Sequence, residues 1–452
     1  MQDFVILYEH RNREIENASL LAAELEDRGY TVKIRCIYSL KKYFTRTKVL
    51  IVPHLYNNDQ VIGFCKNFWM DNKKIISLQY EQILTKMQRD GIHNPTGQAV
   101  FAQHTAWGQA QKDVYLSHGI EERNTSIVGH IAMDLMRSDF DEFYLSRNQI
   151  SEEFGLDNSK QWILFISTFA YKMMTENEVK AYHEIDAGAK MRMLLSLNAQ
   201  KAIVEWLKKI SEENKNIIVI YRRHPSERED PELLELEEKI SNFRCIDSYS
   251  MRQWVRVSDK LYTWYSTSIA DAYYGNKMCY ILRPEKLPDE HEVEIMAGAD
   301  FIKTFEDFKA TIENNDCEIP FPISDSTMEY FYSSKNREKN DFAFLRVADL
   351  CEKVIKEKEY EHEYDFGKSR WNMFNYESKI MIFNSFLCCV LFEICAKIKI
   401  FVPLRLQEKK VLNRIIMYER EAYKIDRDIR KNKNKFADII RKIHINMRKA
   451  EI

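Results

Sequence analysis

Residues 218–230 read IVIYRRHPSERED, an apolar run broken at once by two arginines, a histidine and a proline. The run Ile217-Ile218-Val219-Ile220-Tyr221 follows a helix-like segment and precedes Pro231-Glu232-Leu233-Leu234. That is the pattern of a parallel strand buried on both faces of an α/β sheet. Open α/β sheets bind their ligands beyond the carboxyl ends of the strands. Arg222, Arg223 and His224 therefore fall where an anion, above all a phosphate, can be held.

The same alternation runs outward from this strand in both directions. Upstream, Phe4–Tyr8, a helix over residues 13–28 ending at Gly29, Thr31–Ile34, Val49–Val52 and Ile75–Leu78 predict βαβ units on a parallel sheet, closed by a short strand within Asn124–Arg137. A second series starts at Trp162–Ser167. It continues through a long helix near 190–214, the opening strand, a helix from Pro231, Cys245-Ile246-Asp247 and Lys260–Trp264. Two Rossmann-like domains facing a cleft account for this better than one sheet, with a polar, acidic linker near 138–160. The expected divisions are 1–140, 155–360 and a helical extension over 365–452.

With 452 residues the chain exceeds a single core. Its net charge of −2 argues against nucleic acid as a partner. Nine cysteines without CxxC spacing suit reduced thiols. The N-terminus enters a strand directly, without the order of a signal peptide, so a cytoplasmic protein is expected. The histidines at 54, 93, 104, 118 and 130 form no HxxxH set, and no metal or cofactor is expected. The extension is different in texture. Ile380–Cys395 is apolar yet holds Asn384 and Glu393, short of the roughly 20 clean residues that spanning needs, and Lys397 and Lys399 follow. Residues 404–452 hold 15 Lys/Arg against 7 Asp/Glu. A basic tail after an apolar helix suits peripheral contact with the inner face of a membrane; a self-association or capping helix is the competing reading.

Some forty residues after the arginines, Ser266-Thr267-Ser268-Ile269-Ala270-Asp271 follows another strand and should open a helix, adding hydroxyls to the same domain's strand tips. The order Arg222-Arg223-His224-Pro225-Ser226-Glu227, Ile246-Asp247, Ser258-Asp259, Ser266-Thr267-Ser268, Gly275-Asn276-Lys277 resembles the nucleotide-binding half of GT-B-fold enzymes that assemble bacterial surface carbohydrates. Sialyltransferases, ulosonic-acid transferases and CDP-glycerol phosphotransferases share such a His-Pro motif and downstream Ser/Thr pair. The likeness implies that His224 and the hydroxyls bind the phosphate of a cytidine-activated donor, with Arg222, Arg223, Pro225, Glu227, Asp247 and Asp271 around them. It takes in the first half as well, through Glu9-His10-Arg11-Asn12-Arg13-Glu14 and Val128-Gly129-His130 with Asp134, and Ala132 stands where these families usually carry proline. It covers roughly residues 1–360.

Glycosyl transfer needs a base for the acceptor hydroxyl and a carrier for the leaving phosphate's charge. Glu81, after Ile75–Tyr80, resembles the acidic strand-end motif of GT-B sialyltransferases, and Glu14 and Glu9 compete with it. His10, Arg13 and Trp107 fall near the same presumed acceptor site. The expectation is a metal-independent glycosyltransferase of capsule or surface-polysaccharide synthesis, using a CMP-linked acidic sugar as nucleotide-sugar donor and a glycan or lipid-linked acceptor. A CDP-polyol phosphotransferase of teichoic-acid type and a non-catalytic GT-B-like scaffold are the alternatives.

Overall fold

The computed structural model describes the chain except residues 42–44, 68–73, 90–92, 171, 173, 179, 181–187, 314–319, 334–339, 366–367, 392–405 and 451–452. It divides into two compact units, one formed by Met1–Gln82, Asn94–Gly129 and Asn340–Ile452, the other by Ile83–His93 and His130–Lys339.

The first unit holds a six-stranded sheet in the order β2-β1-β3-β4-β5-β6. Its strands are β1 (Gln2–Tyr8), β2 (Val32–Cys36), β3 (Thr47–Val52), β4 (Lys74–Ser77), β5 (Gln103–Ala106) and β6 (Thr125–Ile127), all parallel. Phe4–Leu7 and Val49–Val52 are at most 1 % exposed, as strands covered on both faces must be. The helix Arg11–Asp27 ends where Gly29 turns at φ 90°, a conformation that costs glycine little. β5 carries no apolar signal, because it reads Gln-His-Thr-Ala. Two of its polar side chains are bonded inside: Gln103 Nε2 donates to Asn124 at 2.9 Å and Thr105 Oγ1 to the Leu78 carbonyl at 3.0 Å.

The second unit holds β7 (Gln161–Ile166), β8 (Ile217–Arg222), β9 (Phe243–Ile246), β10 (Lys260–Thr263), β11 (Cys279–Leu282) and β12 (Phe301–Ile302), in the order β12-β11-β10-β7-β8-β9 and again all parallel. The helix Ala189–Glu213 covers it through Ala199, Ile203, Leu207 and Ile210. The segment expected as a linker is built into this unit. Ser146 and Gln149 cap the helix Arg147–Phe154 reciprocally, Gly155 closes it at φ 61°, and the Leu145 N–H donates to Gln253 at 2.8 Å.

Residues after 340 belong with the first sheet, whereas the sequence reading carried the second domain to 360. The helix Ala343–Lys356 buries Phe344, Val347, Leu350, Cys351 and Val354 and packs on the first helix, β3 and β4. Among the described residues the helices Lys368–Val390 and Leu406–Ala450, the tail helix, follow. The end of the apolar stretch, with Glu393, Lys397 and Lys399, lies outside the described residues. Among the described residues no helix is long and apolar enough to cross a membrane.

Candidate functional site

In the second unit the strands run β9-β8-β7 to one side and β10-β11-β12 to the other, so the order reverses between β7 and β10. Crevices beside such a reversal are where doubly wound sheets take nucleotides. The tips there carry Ser167 after β7, Arg222–Glu227 after β8 and Ser266–Asp271 after β10. The loop after β8 is fixed by Glu227. Its buried carboxylate accepts from Ser167 Oγ at 2.6 Å, the Tyr221 hydroxyl at 2.8 Å and the His224 N–H at 3.2 Å. Burial pushes this carboxyl above its ordinary range despite those bonds.

His224 is half-buried, and its Nδ1 accepts the Ser226 N–H at 3.1 Å. A nitrogen that accepts carries no proton, so the ring's N–H is assigned to Nε2. Arg222 is 3 % exposed, bonded to the carbonyls of Arg223 (3.1 Å), Ile246 (3.4 Å) and Tyr249 (2.7 Å). Burial lowers its guanidinium to about 10, which still leaves it charged at neutral pH. Arg223 pairs with Asp247 at 2.6 Å. Pro225 and Thr267 are exposed, and Ser268 is half-buried. Ser266 is buried; its N–H donates to Thr263 Oγ1 at 3.0 Å and its hydroxyl accepts the Ser268 N–H at 3.2 Å. Asp271 is buried 4.0 Å from Arg252. Gly275 ends the short helix Ile269–Tyr274, where a Cβ would meet the Asp271 carbonyl at 2.9 Å.

The first unit has its own reversal, between β1 and β3. Glu9 and His10 leave β1 there, and His54 follows β3. Glu9 accepts the Tyr38 hydroxyl at 2.5 Å and Arg414 at 3.1 Å, and lies 3.7 Å from His54 Nδ1. Burial acts to raise the Glu9 carboxyl, but the Tyr38 bond and the neighbouring histidines and Arg414 outweigh it and hold it below its ordinary value. Burial lowers His54 below its usual 6.5, against the pull of the surrounding carboxylates. Glu14 is 1 % exposed: it accepts the Glu9 N–H at 2.7 Å and the His10 N–H at 3.3 Å, and pairs with Arg13 at 3.1 Å. Arg13 reaches on to Glu81 at 2.6 Å, and the Glu81 side chain is 39 % exposed. Beside it, Gln79 takes φ 45°, an uncommon conformation for a side-chain-bearing residue, and accepts the Tyr56 hydroxyl at 3.1 Å. Trp107, expected to face an acceptor, is only 7 % exposed and stands with the core, its N–H donating to Gln82 at 2.8 Å.

The first unit thus brings together Glu9, His10, Arg13, Glu14 and Glu81, and the second brings Arg222, Arg223, His224, Glu227 and Asp247 onto adjacent tips. Sequence reasoning missed Tyr38, His54 and Arg414, which reach Glu9 from three separate segments. Ser167 was legible as the end of its strand, but its bond to Glu227 was not. Among the described residues no cluster of three or more His, Cys, Asp or Glu could hold a metal ion.

No model of a known protein family matches the chain, and no curated protein sequence does. Solved structures do. The wall teichoic acid polymerase TagF is 12 % identical, covering 80 % of this chain and 90 % of that one with a TM-score of 0.51. A second TagF structure, a variant soaked with CDPG, gives 12 % identity, 79 % and 90 % coverage and a TM-score of 0.51. The S. aureus MnaA–UDP structure is 16 % identical over 81 % of this chain and 100 % of that one, with a TM-score of 0.49. The TagF likeness agrees with the two parallel sheets and their strand-order reversals, and the fold is that of GT-B enzymes with a helical C-terminal extension.

Proposed function

We propose that this chain is a metal-independent transferase of bacterial surface-glycan synthesis that takes its transferred group from a cytidine-activated donor, a CMP-linked acidic sugar in the first instance. The observation that carries the reading is the loop after β8. Glu227 anchors the His224 backbone, and the Ser226 N–H sets the ring so that Nε2–H can donate to a phosphate oxygen. β8 and β10 flank β7, which puts their tips about 10 Å apart, within the span of one nucleotide phosphate and its substituents. His224 and the Thr267 and Ser268 hydroxyls would carry the charge that develops on the leaving phosphate. In the first unit Glu81 is the proposed acceptor base, held by Arg13, which Glu14 positions in turn.

Transfer of a polyol phosphate from a CDP-linked donor is the second reading. The fold likeness to TagF, one variant of which was soaked with CDPG, favours it.

Thermal-shift measurement with CMP, CDP, UDP and GDP tests the donor assignment. A ligand at a hundred times its Kd adds about 2.7 kcal/mol, which for a unit of this size raises Tm by roughly 5–10 °C. Stabilisation by CMP or CDP and not by UDP or GDP is expected, and its loss in His224→Ala. Stabilisation by UDP alone overturns the cytidine assignment.

A further inference from the structure

The sequence gives the tail an excess of positive charge, and the tertiary structure sorts that charge by face. The helix Leu406–Ala450 buries Ile415, Tyr418, Ala422, Ile425, Ile429 and Phe436, steps of three, four and seven that lay one apolar stripe along the helix Arg11–Asp27. Flanking that stripe are the acids of the same stretch, turned to the first unit. Glu419 accepts the Leu40 N–H at 2.7 Å, Glu421 and Asp428 bind Arg11 at 3.4 and 2.6 Å, and Asp426 binds Lys41 at 2.7 Å. What the outer face keeps is Arg420, Lys424, Arg427, Arg430 and Lys431, all exposed. These five cations lie within about 17 Å of helix. Two large apolar side chains share that face, Met417 at 69 % and Tyr423 at 78 % exposure. The helix packed alongside, Lys368–Val390, exposes Tyr376, Phe383, Phe386 and Val390, again spaced as a single stripe.

From this sorting we infer that the outer face of the tail helix is a docking surface for an anionic lipid bilayer. Charge complementarity selects the partner, because the whole chain is slightly acidic while this face presents cations. Exposed Met417 and Tyr423 distinguish a bilayer from a soluble polyanion: a thioether and a phenol ring gain by entering the headgroup boundary and gain little from a hydrated polymer. Each Lys or Arg at an anionic surface multiplies partitioning about fivefold at low salt.

The structure also dictates the test. Removing the tail would strip the cover from the first helix, so substitutions on the outer face replace truncation. Full-length chain is sedimented with phosphatidylcholine vesicles with and without 30 % phosphatidylserine. Salt-sensitive binding to the anionic vesicles is expected, reduced at least about 100-fold in Arg420→Gln/Lys424→Gln/Arg427→Gln/Lys431→Gln with an unchanged Tm, and weakened at high salt by Tyr423→Ser. Equal binding to both vesicle types overturns the inference. So does undiminished binding by the quadruple variant, binding to soluble polyphosphate without vesicle binding, or a stable dimer lost in Phe383→Ser/Phe386→Ser with no vesicle binding.

Discussion

The two sheets are built alike, six parallel strands each with one reversal of order, and their tips carry opposite chemistry. The β1/β3 side gathers carboxylates, with Glu14 and Glu81 paired to Arg13 and Glu9 beside His54, whose pKa burial lowers. The β7/β10 side gathers donors, with the cations Arg222 and Arg223 beside His224, whose backbone N–H is anchored by the carboxylate of Glu227. The scaffold fixes where a ligand can sit, and a few loop residues after each strand decide its charge. The proposed proton acceptor and the proposed phosphate site can therefore share one architecture.

The contrast can be broken first at Glu81. Glu81→Gln keeps shape and loses basicity, so transfer should fall by about 10²–10⁴-fold while nucleotide binding persists. Normal transfer by Glu81→Gln together with a dead Glu14→Gln would move the base to the first helix. On the cationic side, His224→Ala should lower kcat about 10²–10³-fold, the scale of losing one preorganised donor, in a protein that melts as before. Unchanged turnover would sink the phosphate role of His224.

Acid should sharpen the comparison, with a smaller effect. Burial holds the His104 ring down to about 4 against an ordinary 6.5. A depressed folded pKa means that the neutral ring's contribution is complete above 6.5 and is lost as pH falls from there toward 4, up to about 3 kcal/mol in all. In the second unit the burial of Glu227 and Glu292 raises their carboxyls, so their contribution runs the other way, present at low pH and lost as pH rises. His104→Gln should therefore flatten the decline of Tm between pH 7 and 5. An equally steep decline in that variant would place the acid sensitivity elsewhere.

Much of this was readable from the chain. β1, β3, β7 and β8 announced themselves because strands covered on both faces must be apolar, and the long helices because their apolar positions recur at helical spacing. β5 gave no such signal, since Gln103, His104 and Thr105 are buried and polar, with Gln103 and Thr105 bonded to partners 21 and 27 residues away. The cationic cluster was legible because Arg222–Glu227 is one contiguous loop. The Glu9 environment was only half legible: its neighbours Tyr38, His54 and Arg414 come from separate segments, the last 405 residues away.

What the sequence determined by itself was the alternation of strand and helix, the polar break after each strand and the tail's charge excess, all properties of local order. Tertiary structure decided which tips flank a reversal of strand order, which carboxylates are saturated and which stand at the surface, and which face of the tail keeps its cations. Those depend on strand order and on contacts between distant segments. Hydrophobic periodicity specifies that a face is buried and leaves open against what.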